Sequence, residues 1–322
     1  MRNFTLFTLA LALVVILLGA FTRLTDAGLG CPDWPGCYGY LVVPQEHQHA
    51  IAEARFPERP VEMAKAWAEM VHRYVAGTLG LCILALALMA WRRPAAPKGL
   101  PWLLVGLVVF QAALGMWTVT LNLLPLVVMG HLIGGFSILA LLFLLWLRQS
   151  PQRGPLPNGT KPLGTLAVVA TGVLLVQIML GGWTSANYAS LACTELPVCE
   201  GDWASRLDPE AAFHPLPPPA KSYEFGVLDY PARMTIHVSH RIWALITALV
   251  LLLLALRLWT QGLRREALAV TGVLMLQLML GIANVVASLP LPVAVAHNGV
   301  AALLLLSLVA VNYRLWQRSR YE

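Results

Sequence analysis

The composition of this chain excludes a water-soluble globular protein. Of its 322 residues, 58% are hydrophobic and only 12% are charged. The mean hydropathy is +0.69, an apolar excess that a soluble fold could not bury. Disordered, collagen-like and coiled-coil chains are excluded on the same grounds. The net charge of +6 would favour nucleic acid as the partner of a soluble protein. In a membrane protein the positions of the charges matter instead, and we expect no nucleic-acid partner.

Eight apolar runs are each long enough to cross a bilayer as a helix. They cover residues of about 4–22, 67–91, 101–121, 126–147, 163–183, 232–256, 267–287 and 292–313. No small-residue cleavage site follows the first run, so we interpret it as a helix rather than a signal peptide. The sequence therefore predicts an all-α integral membrane protein with eight transmembrane helices in contact with membrane lipid.

The basic residues predict the orientation of these helices. Three short connections span residues 92–100, 148–162 and 257–266. Together with the two termini, they hold thirteen of the 22 Lys and Arg residues and only two acidic residues. By the positive-inside rule, both termini are cytoplasmic, and the long loops 23–66 and 184–231 face outward. We expect the chain to be integral to a bacterial cytoplasmic (inner) membrane.

Four of the five cysteines form two pairs with the same spacing. Cys31 and Cys37 lie in the first outer loop, and Cys193 and Cys199 lie in the second. In an oxidising compartment, such pairs predict two local disulfides. The alternatives are a redox-active dithiol and metal ligation, which would need further ligands nearby. Cys82 lies alone in the second span and is predicted to be a small core residue.

The two halves of the sequence repeat each other. The stretch GAFTRLTDAGLGC at 19–31 aligns with GGWTSANYASLAC at 181–193, and further matches follow at offsets of 162 to 168. Halves with an even number of helices insert in the same orientation. We therefore predict two four-helix bundles, formed by residues 1–150 and 163–322, related by a pseudo-twofold axis along the membrane normal. A cytoplasmic linker at 151–162 would join them.

A shorter motif, Q-x-x-L-G, recurs in the odd-numbered spans. It occurs at Gln111–Gly115, Gln177–Gly181 and Gln277–Gly281, and Val15–Gly19 occupies the same place in the first span. Small and polar residues at such positions commonly serve helix packing in membranes. We therefore predict that the glycines allow close approach of helix backbones and that the glutamines form interhelical hydrogen bonds, in preference to a direct ligand role.

Four histidines are predicted to lie at similar depth. They are found in the even-numbered spans, about five to eight residues inside the outer end, at His72, His131, His240 and His297. At a rise of 1.5 Å per residue, this corresponds to a depth of roughly 8–12 Å. Two imidazoles at one depth on parallel helices can clamp an iron porphyrin from both faces. The histidines of the outer loops, His47, His49 and His214, are interpreted as solvated surface residues.

Other uses of the four membrane histidines explain the pattern less well. A single histidine in a membrane helix more often bonds to another helix than to a ligand. Four in register, with few other ionisable groups at that depth, favour a cofactor. Zinc or copper would need a tighter cluster with more ligands. A proton relay would need carboxylates toward the cytoplasmic side, and the inner halves of these helices have none.

The two halves differ beside these histidines. Glu69 precedes His72 by three residues, whereas His237 occupies the equivalent position before His240. Residues three apart share a helix face, so Glu69 should project toward whatever His72 binds. A carboxylate there can move protons, whereas an imidazole would tune or supplement ligation. A solvated interfacial Glu69 is the alternative. The asymmetry predicts one reaction site and one electron-transfer site.

An arginine follows one histidine in each half. Arg73 comes directly after His72, and Arg241 comes directly after His240. Near the outer surface, each guanidinium could pair with a carboxylate such as a haem propionate. The alternative is that both arginines extend to the lipid headgroups.

These motifs together resemble those of the haem A synthase family. The resemblance covers nearly the whole chain and rests on GLGCPDWPGC at Gly28–Cys37, EMVHR at Glu69–Arg73, GH at Gly130–His131, SHR at Ser239–Arg241 and AHN at Ala296–Asn298. It implies oxidation of the haem O methyl group to the formyl group of haem A, through successive hydroxylations. The product would serve assembly of haem–copper (cytochrome) oxidases.

The resemblance also implies roles for the site residues. His72 and His131 would ligate the iron of the substrate haem, and Glu69 would assist proton transfer or oxygen insertion. His240 and His297 would ligate a haem b that passes electrons. The outer-loop cysteine pairs match those of the family. The membrane setting makes the haem O-producing farnesyltransferase a plausible partner, and the reaction needs an electron acceptor that the sequence does not identify.

Two other functions remain open on the residues alone. The first is a bis-histidine di-haem b cytochrome of the quinol dehydrogenase type, which transfers electrons without modifying its haem. The second is a transporter built from repeats. The sequence disfavours a transporter, because it contains no interrupted apolar helix and no charge pair at mid-membrane.

Overall fold

The computed structural model describes residues 1–93, 98–150 and 161–318. Within these ranges the chain forms ten α-helices: α1 (Arg2–Leu24), α2 (His49–Arg55), α3 (Met63–Trp91), α4 (Gly99–Thr120), α5 (Pro125–Arg148), α6 (Lys161–Ala186), α7 (Pro209–Phe213), α8 (Tyr230–Thr260), α9 (Arg264–Val286) and α10 (Leu291–Arg318). No β-strand occurs in the described ranges, and the predicted all-α class is confirmed. The predicted linker lies outside them except for positions 161 and 162, which begin α6.

Eight helices of the described chain are long and apolar enough to cross a membrane, and they match the eight predicted runs. The observed helices start earlier or end later than most of the apolar runs. For example, α3 begins at Met63, four residues before the predicted start. Helical hydrogen bonding does not depend on apolar side chains, so a helix can continue beyond the hydrocarbon region into polar sequence. The two long outer loops also contain α2 and α7, which the sequence did not predict.

The helices of the two halves pack in the same pattern. In the first half, α1, α3, α4 and α5 form a closed ring in which each helix contacts two neighbours. In the second half, α6, α8, α9 and α10 form the corresponding ring. The halves meet where α1 contacts α10, α5 contacts α6, and α5 contacts α10. This pattern supports the predicted pseudo-twofold relation, which stays a prediction.

Large apolar side chains cover the outside of the helices as well as the inside. Leu81, Val109 and Leu245 are 69%, 65% and 63% exposed. Meanwhile Leu142 and Leu251 belong to one buried apolar cluster that runs through both halves. Such an exposed apolar surface would be unfavourable in water and is favourable against lipid tails. The surface therefore agrees with an integral membrane protein.

Disulfides close both predicted cysteine pairs. Cys31 joins Cys37, and Cys193 joins Cys199, with Cα–Cα distances of 4.7 and 4.9 Å. Prolines and buried aromatic residues lie around the first pair, as in a closely packed loop. Glu200 lies near the second pair, but sulfurs bonded to each other are not available as thiolate ligands. Cys82 is free and only partly buried in α3, so it is not the core residue that the sequence predicted.

Tyr38 anchors the first outer loop. Its ring is buried and packs edge-on against Phe56, and its hydroxyl donates a hydrogen bond of 2.9 Å to the Pro60 carbonyl. Burial raises the pKa of Tyr38 to about 12. The hydroxyl therefore remains protonated, and remains a donor, throughout the physiological pH range.

The disulfide pattern predicts the number of reactive thiols. In the unfolded, unreduced protein, we expect one cysteine, Cys82, to react with N-ethylmaleimide, because the other four are bonded. After reduction all five should react, and intact-mass measurement counts the adducts. The matched control, Cys82→Ser, should give no adduct before reduction. Three or more adducts in unreduced protein purified from the membrane would contradict the pairing.

Candidate functional site

The four membrane histidines lie on α3, α5, α8 and α10. His131 and His297 are each the seventh residue of their helix, whereas His72 is the tenth residue of α3 and His240 the eleventh of α8. The latter two lie further from their helix starts than predicted, because α3 and α8 begin outside the apolar runs. All four residues are partly buried.

Tight turns set the register between the helices that carry two of these histidines and their neighbours. Asn122 and Leu123, between α4 and α5, both have positive φ, of 49° and 64°. The equivalent Ser288 and Leu289, between α9 and α10, have φ of 56° and 61°. Consecutive left-handed residues reverse the chain within a few positions. The same turn therefore aligns the two helices of each pair in the same way.

Each membrane histidine packs against a glycine of the neighbouring helix. The pairs are Gly19 with His72, Gly115 with His131, Gly181 with His240, and Gly281 with His297. A Cβ placed on these glycines would lie only 3.0 to 3.3 Å from the Cε1 atom of the ring. The sequence predicted that these glycines bring helix backbones together. The structure shows that they make room for the histidine rings. The recurrence of this glycine in every odd-numbered span was the sequence signal from which the contact could have been predicted.

The first-half pair has the spacing expected for two ligands of one iron. The ring centroids of His72 and His131 lie 6.5 Å apart, with an angle of 79° between the ring planes. Metal–imidazole bonds of about 2 Å on each side, together with the ring radii, would roughly span this distance. The Nδ1 atoms of both rings are buried without a hydrogen-bond partner among the described residues. Unpartnered buried nitrogens fit a metal ligand role.

The second-half pair also fits a haem site. His240 packs against Gly181 and His297 against Gly281, and His297 Nδ1 is buried without a partner in the described part of the chain. Glutamines contact both rings: Gln177 Nε2 lies 3.2 Å from His240 Nδ1, and Gln277 Nε2 lies 3.2 Å from His297 Nε2. The predicted interhelical glutamine contacts are therefore observed, and here they reach the candidate ligands themselves.

Glu69 lies at the junction between α3 and the first disulfide. The residue is 4% exposed. Its Oε2 accepts a hydrogen bond of 2.8 Å from the Cys31 amide, and its Oε1 pairs with Nη2 of Arg73. The carboxylate is therefore buried, paired and attached to the outer loop. It is not the solvated interfacial residue that was the alternative.

His237 makes the same connection in the second half. Its Nδ1 lies 3.3 Å from the Cys193 amide, and its Nε2 lies 3.1 Å from Nε of Arg241. Both ring nitrogens therefore face the disulfide loop and the arginine. The structure gives His237 the position of Glu69 as an anchor of the outer loop, and its predicted role in tuning or supplementing ligation stays a prediction.

The two arginines hold the disulfide loops by their backbone carbonyls. Arg73 Nη1 donates to the carbonyls of Asp33, at 3.0 Å, and of Gly36. Arg241 donates to the carbonyls of Cys193 and Val198, at 2.7 and 2.5 Å. Both guanidinium groups are therefore engaged by the disulfide loops. The predicted pairing with haem propionates stays a prediction.

The outer loop of the second half reaches across to the first half. Arg59 pairs with Glu224 at 2.5 Å, and the Tyr223 amide donates to the Asn122 carbonyl at 3.0 Å. These contacts place residues 222–224 beside the turn that precedes α5. The sequence contains no local signal for them, because they join segments about 100 to 165 positions apart.

A second connection between the halves lies at the outer ends of α1 and α6. Arg23 Nη2 donates to the Ser185 carbonyl at 2.5 Å, and the guanidinium carbon lies 3.9 Å from the centre of the Tyr188 ring. A cation over an aromatic face is stabilising.

Of the loop histidines, His47 and His214 are exposed as predicted, whereas His49 is partly buried.

Comparison with known proteins agrees with this site. Residues 2–309 match the COX15-CtaA family, which is described as "Cytochrome oxidase assembly protein". A "Heme A synthase" of Shewanella oneidensis is 56% identical over 97% of this chain and 96% of its own length. Two further proteins of that name, from Rhizorhabdus wittichii and Sphingopyxis alaskensis, are each 28% identical and cover 98% and 96% of this chain and 94% and 90% of their own lengths. The resemblance predicted from the motifs is confirmed, and the chain belongs to the COX15-CtaA family of cytochrome oxidase assembly proteins.

Proposed function

We propose that this chain is a membrane-bound haem A synthase, an oxidoreductase that converts haem O to haem A. The methyl group of haem O would be oxidised to a formyl group through successive hydroxylations, and the product would serve assembly of haem–copper oxidases. One observation carries the proposal: 56% identity to a "Heme A synthase" extends over 97% of the chain. The glycine-packed histidine pairs on four helices support it, because they suit two haem sites.

The first half is assigned to the substrate. His72 and His131 would hold the haem O iron, and their 6.5 Å ring separation supports this role. Glu69 is present only in this half and lies one helical turn before His72. We assign it the handling of a proton during oxidation of the methyl group. Its hydrogen bonds to Arg73 and to the Cys31 amide hold the carboxylate in place until then.

The second half is assigned to a resident haem b. His240 and His297 would be its ligands, and when bound it would supply one-electron transfer. No acidic residue stands at the position of Glu69 here, since His237 replaces it. The absence of that acid supports electron transfer rather than substrate oxidation in this half.

The membrane setting completes the proposal. The basic termini and short connections support an orientation with both termini in the cytoplasm of a bacterium and the disulfide loops outside its inner membrane. Haem O can reach the first half from the membrane, and handover from the farnesyltransferase that produces it fits this route. An electron acceptor completes the oxidation.

Pigment analysis tests the reaction itself. Co-expression of the chain with a source of haem O should yield haem A or its hydroxylated intermediates, and extraction followed by chromatography and mass measurement identifies them. The control is the same strain with His72→Ala, for which we expect haem O to accumulate. Unmodified haem O beside a normal amount of bound haem b would instead indicate a di-haem cytochrome that does not modify its haem.

Replacement of the second-half ligands tests the haem b site. The purified protein should show a low-spin b-type spectrum, and His240→Ala or His297→Ala should abolish it, because each removes one axial ligand. His214→Ala, on the exposed outer loop, is the control and should leave the spectrum intact. Retention of the low-spin spectrum in both ligand variants would refute this assignment.

Variants of Glu69 test its role in proton handling. We expect Glu69→Ala and Glu69→Gln to keep the haem b spectrum and to lower haem A formation by about 10²-fold or more, the usual contribution of a general acid or base. The Gln variant retains an oxygen that can accept from the Cys31 amide, so it separates proton handling from loop anchoring. Glu62→Ala, an exposed acid at the start of α3, is the control. Full product formation by Glu69→Gln would contradict the role.

A further inference from the structure

The two halves hold their histidine rings differently. In the second half, a glutamine amide contacts each ring. Gln177 on α6 lies 3.2 Å from His240 Nδ1, and Gln277 on α9 lies 3.2 Å from His297 Nε2. Both contacts are within hydrogen-bonding distance, and both connect the histidine to a neighbouring helix.

Within the residues that the structure describes, neither ring of the first half has such a contact. Gln111 stands at the position equivalent to Gln277, yet its Nε2 donates to the backbone carbonyl of His131, at 2.5 Å, and not to the ring. At the position equivalent to Gln177 the chain has Val15, which offers no hydrogen bond to His72. Nδ1 of His72, His131 and His297 alike is buried without a partner in the described part of the chain, so the difference between the halves lies in the glutamine contacts.

One glycine explains why Gln111 turns away from the ring. A Cβ on Gly134 would lie 2.1 Å from Oε1 of Gln111. The side chain therefore occupies a groove on α5 that exists only because residue 134 lacks a side chain. The equivalent residue on α10, at the same offset of 166 that relates Gln111 to Gln277, is the buried Val300. Residue 300 therefore carries a side chain where residue 134 has none, and Gln277 lies against the ring.

The second-half glutamines have the chemistry to fix a ligand. The Oε1 atoms of Gln177 and Gln277 are buried without a partner among the described residues, as is that of Gln111, but only Gln177 and Gln277 lie against a histidine ring. A half-turn of the terminal amide exchanges Oε1 and Nε2, and the oxygen can then accept the hydrogen bond of a ring N–H. Metal-ligating histidines characteristically donate their second N–H in this way, which fixes the tautomer and raises the basicity of the ligating nitrogen.

We propose that Gln177 and Gln277 are positioning residues that make the second half a site of haem retention. Val15, and the groove at Gly134 that draws Gln111 away, make the first half a site of haem exchange. A substrate site must release its product, whereas an electron-transfer site must keep its haem. The proposal rests on the proposed function, which assigns haem b to the second half and haem O to the first.

Haem transfer from the intact purified protein tests the proposal. The protein is loaded with both pigments and mixed with excess apomyoglobin, and chromatography of the extracted pigments follows haem b separately from haem O and haem A. In the wild-type protein, haem O and haem A should leave faster than haem b. Equal rates, or faster loss of haem b, would overturn the proposal.

Substitution of the glutamines identifies the cause. Gln277→Leu removes the hydrogen bond at similar side-chain volume, and we expect haem b to dissociate about 10- to 100-fold faster, as for other partners of metal-bound histidines. The midpoint potential of haem b should become more positive, because a less basic histidine stabilises ferric iron less. Gln277→Glu keeps an acceptor and should shift the potential in the opposite direction. Shifts of the same sign in both variants would indicate a merely structural role and would overturn the proposal.

The duplication provides a matched control. Gln111→Leu makes the same change at the equivalent position, and the dissociation rate and potential of haem b should stay at their wild-type values. Val15→Gln supplies the missing partner of His72 and should slow the release of haem O. If His240→Ala loses haem b but Gln277→Leu retains it with an unchanged dissociation rate and potential, this inference is overturned and the proposed function stands. A wild-type protein that binds no haem b would overturn the proposed function as well.

Discussion

The contact between a histidine ring and a glycine of the neighbouring helix is the constraint on which the site depends. It occurs four times, and in each case a Cβ on the glycine would approach the ring to 3.0–3.3 Å. A larger residue would displace the ring or separate the helices. The contact therefore sets both the distance between paired helices and the direction of the imidazoles. In the first half, it leaves two rings 6.5 Å apart, with buried nitrogens that lack partners.

A second constraint is the attachment of a disulfide loop to the outer end of each half. The disulfide holds a short loop together, and an arginine from the transmembrane helix binds the loop through its backbone carbonyls. The residue one helical turn before that arginine is Glu69 or His237. It accepts a hydrogen bond from the backbone amide of the first cysteine of the pair. Because the same helices carry His72 and His240, the outer loops are connected directly to the candidate ligands. The cysteine pairs therefore have a structural role here, as the sequence favoured.

Duplication produced two similar scaffolds, and a few substitutions distinguish them. Glu69 and His237 occupy equivalent anchor positions, so the two halves place a carboxylate and an imidazole at the same point beside the disulfide loop. Gly134 leaves room for the side chain of Gln111, whereas the equivalent residue of the second half is Val300. Both differences lie near a membrane histidine, and the helices of the two halves contact each other in the same pattern. Few differences are expected at such positions, because the interior of closely packed helices tolerates little change in side-chain volume.

The sequence by itself determined the eight spans, the two disulfides and the histidines of the proposed site, because these depend on local composition, spacing and internal repetition. It also placed Glu69 on the face of His72, since residues three apart share a helix face. The tertiary structure decided the partners across helices: the glycine behind each ring, the glutamines on His240 and His297, and the arginines on the loop carbonyls. Those partners depend on the rotation and register of each helix. In a soluble protein the apolar stripe reveals rotation, but lipid-facing positions here are as apolar as the core, so the sequence carries no such signal.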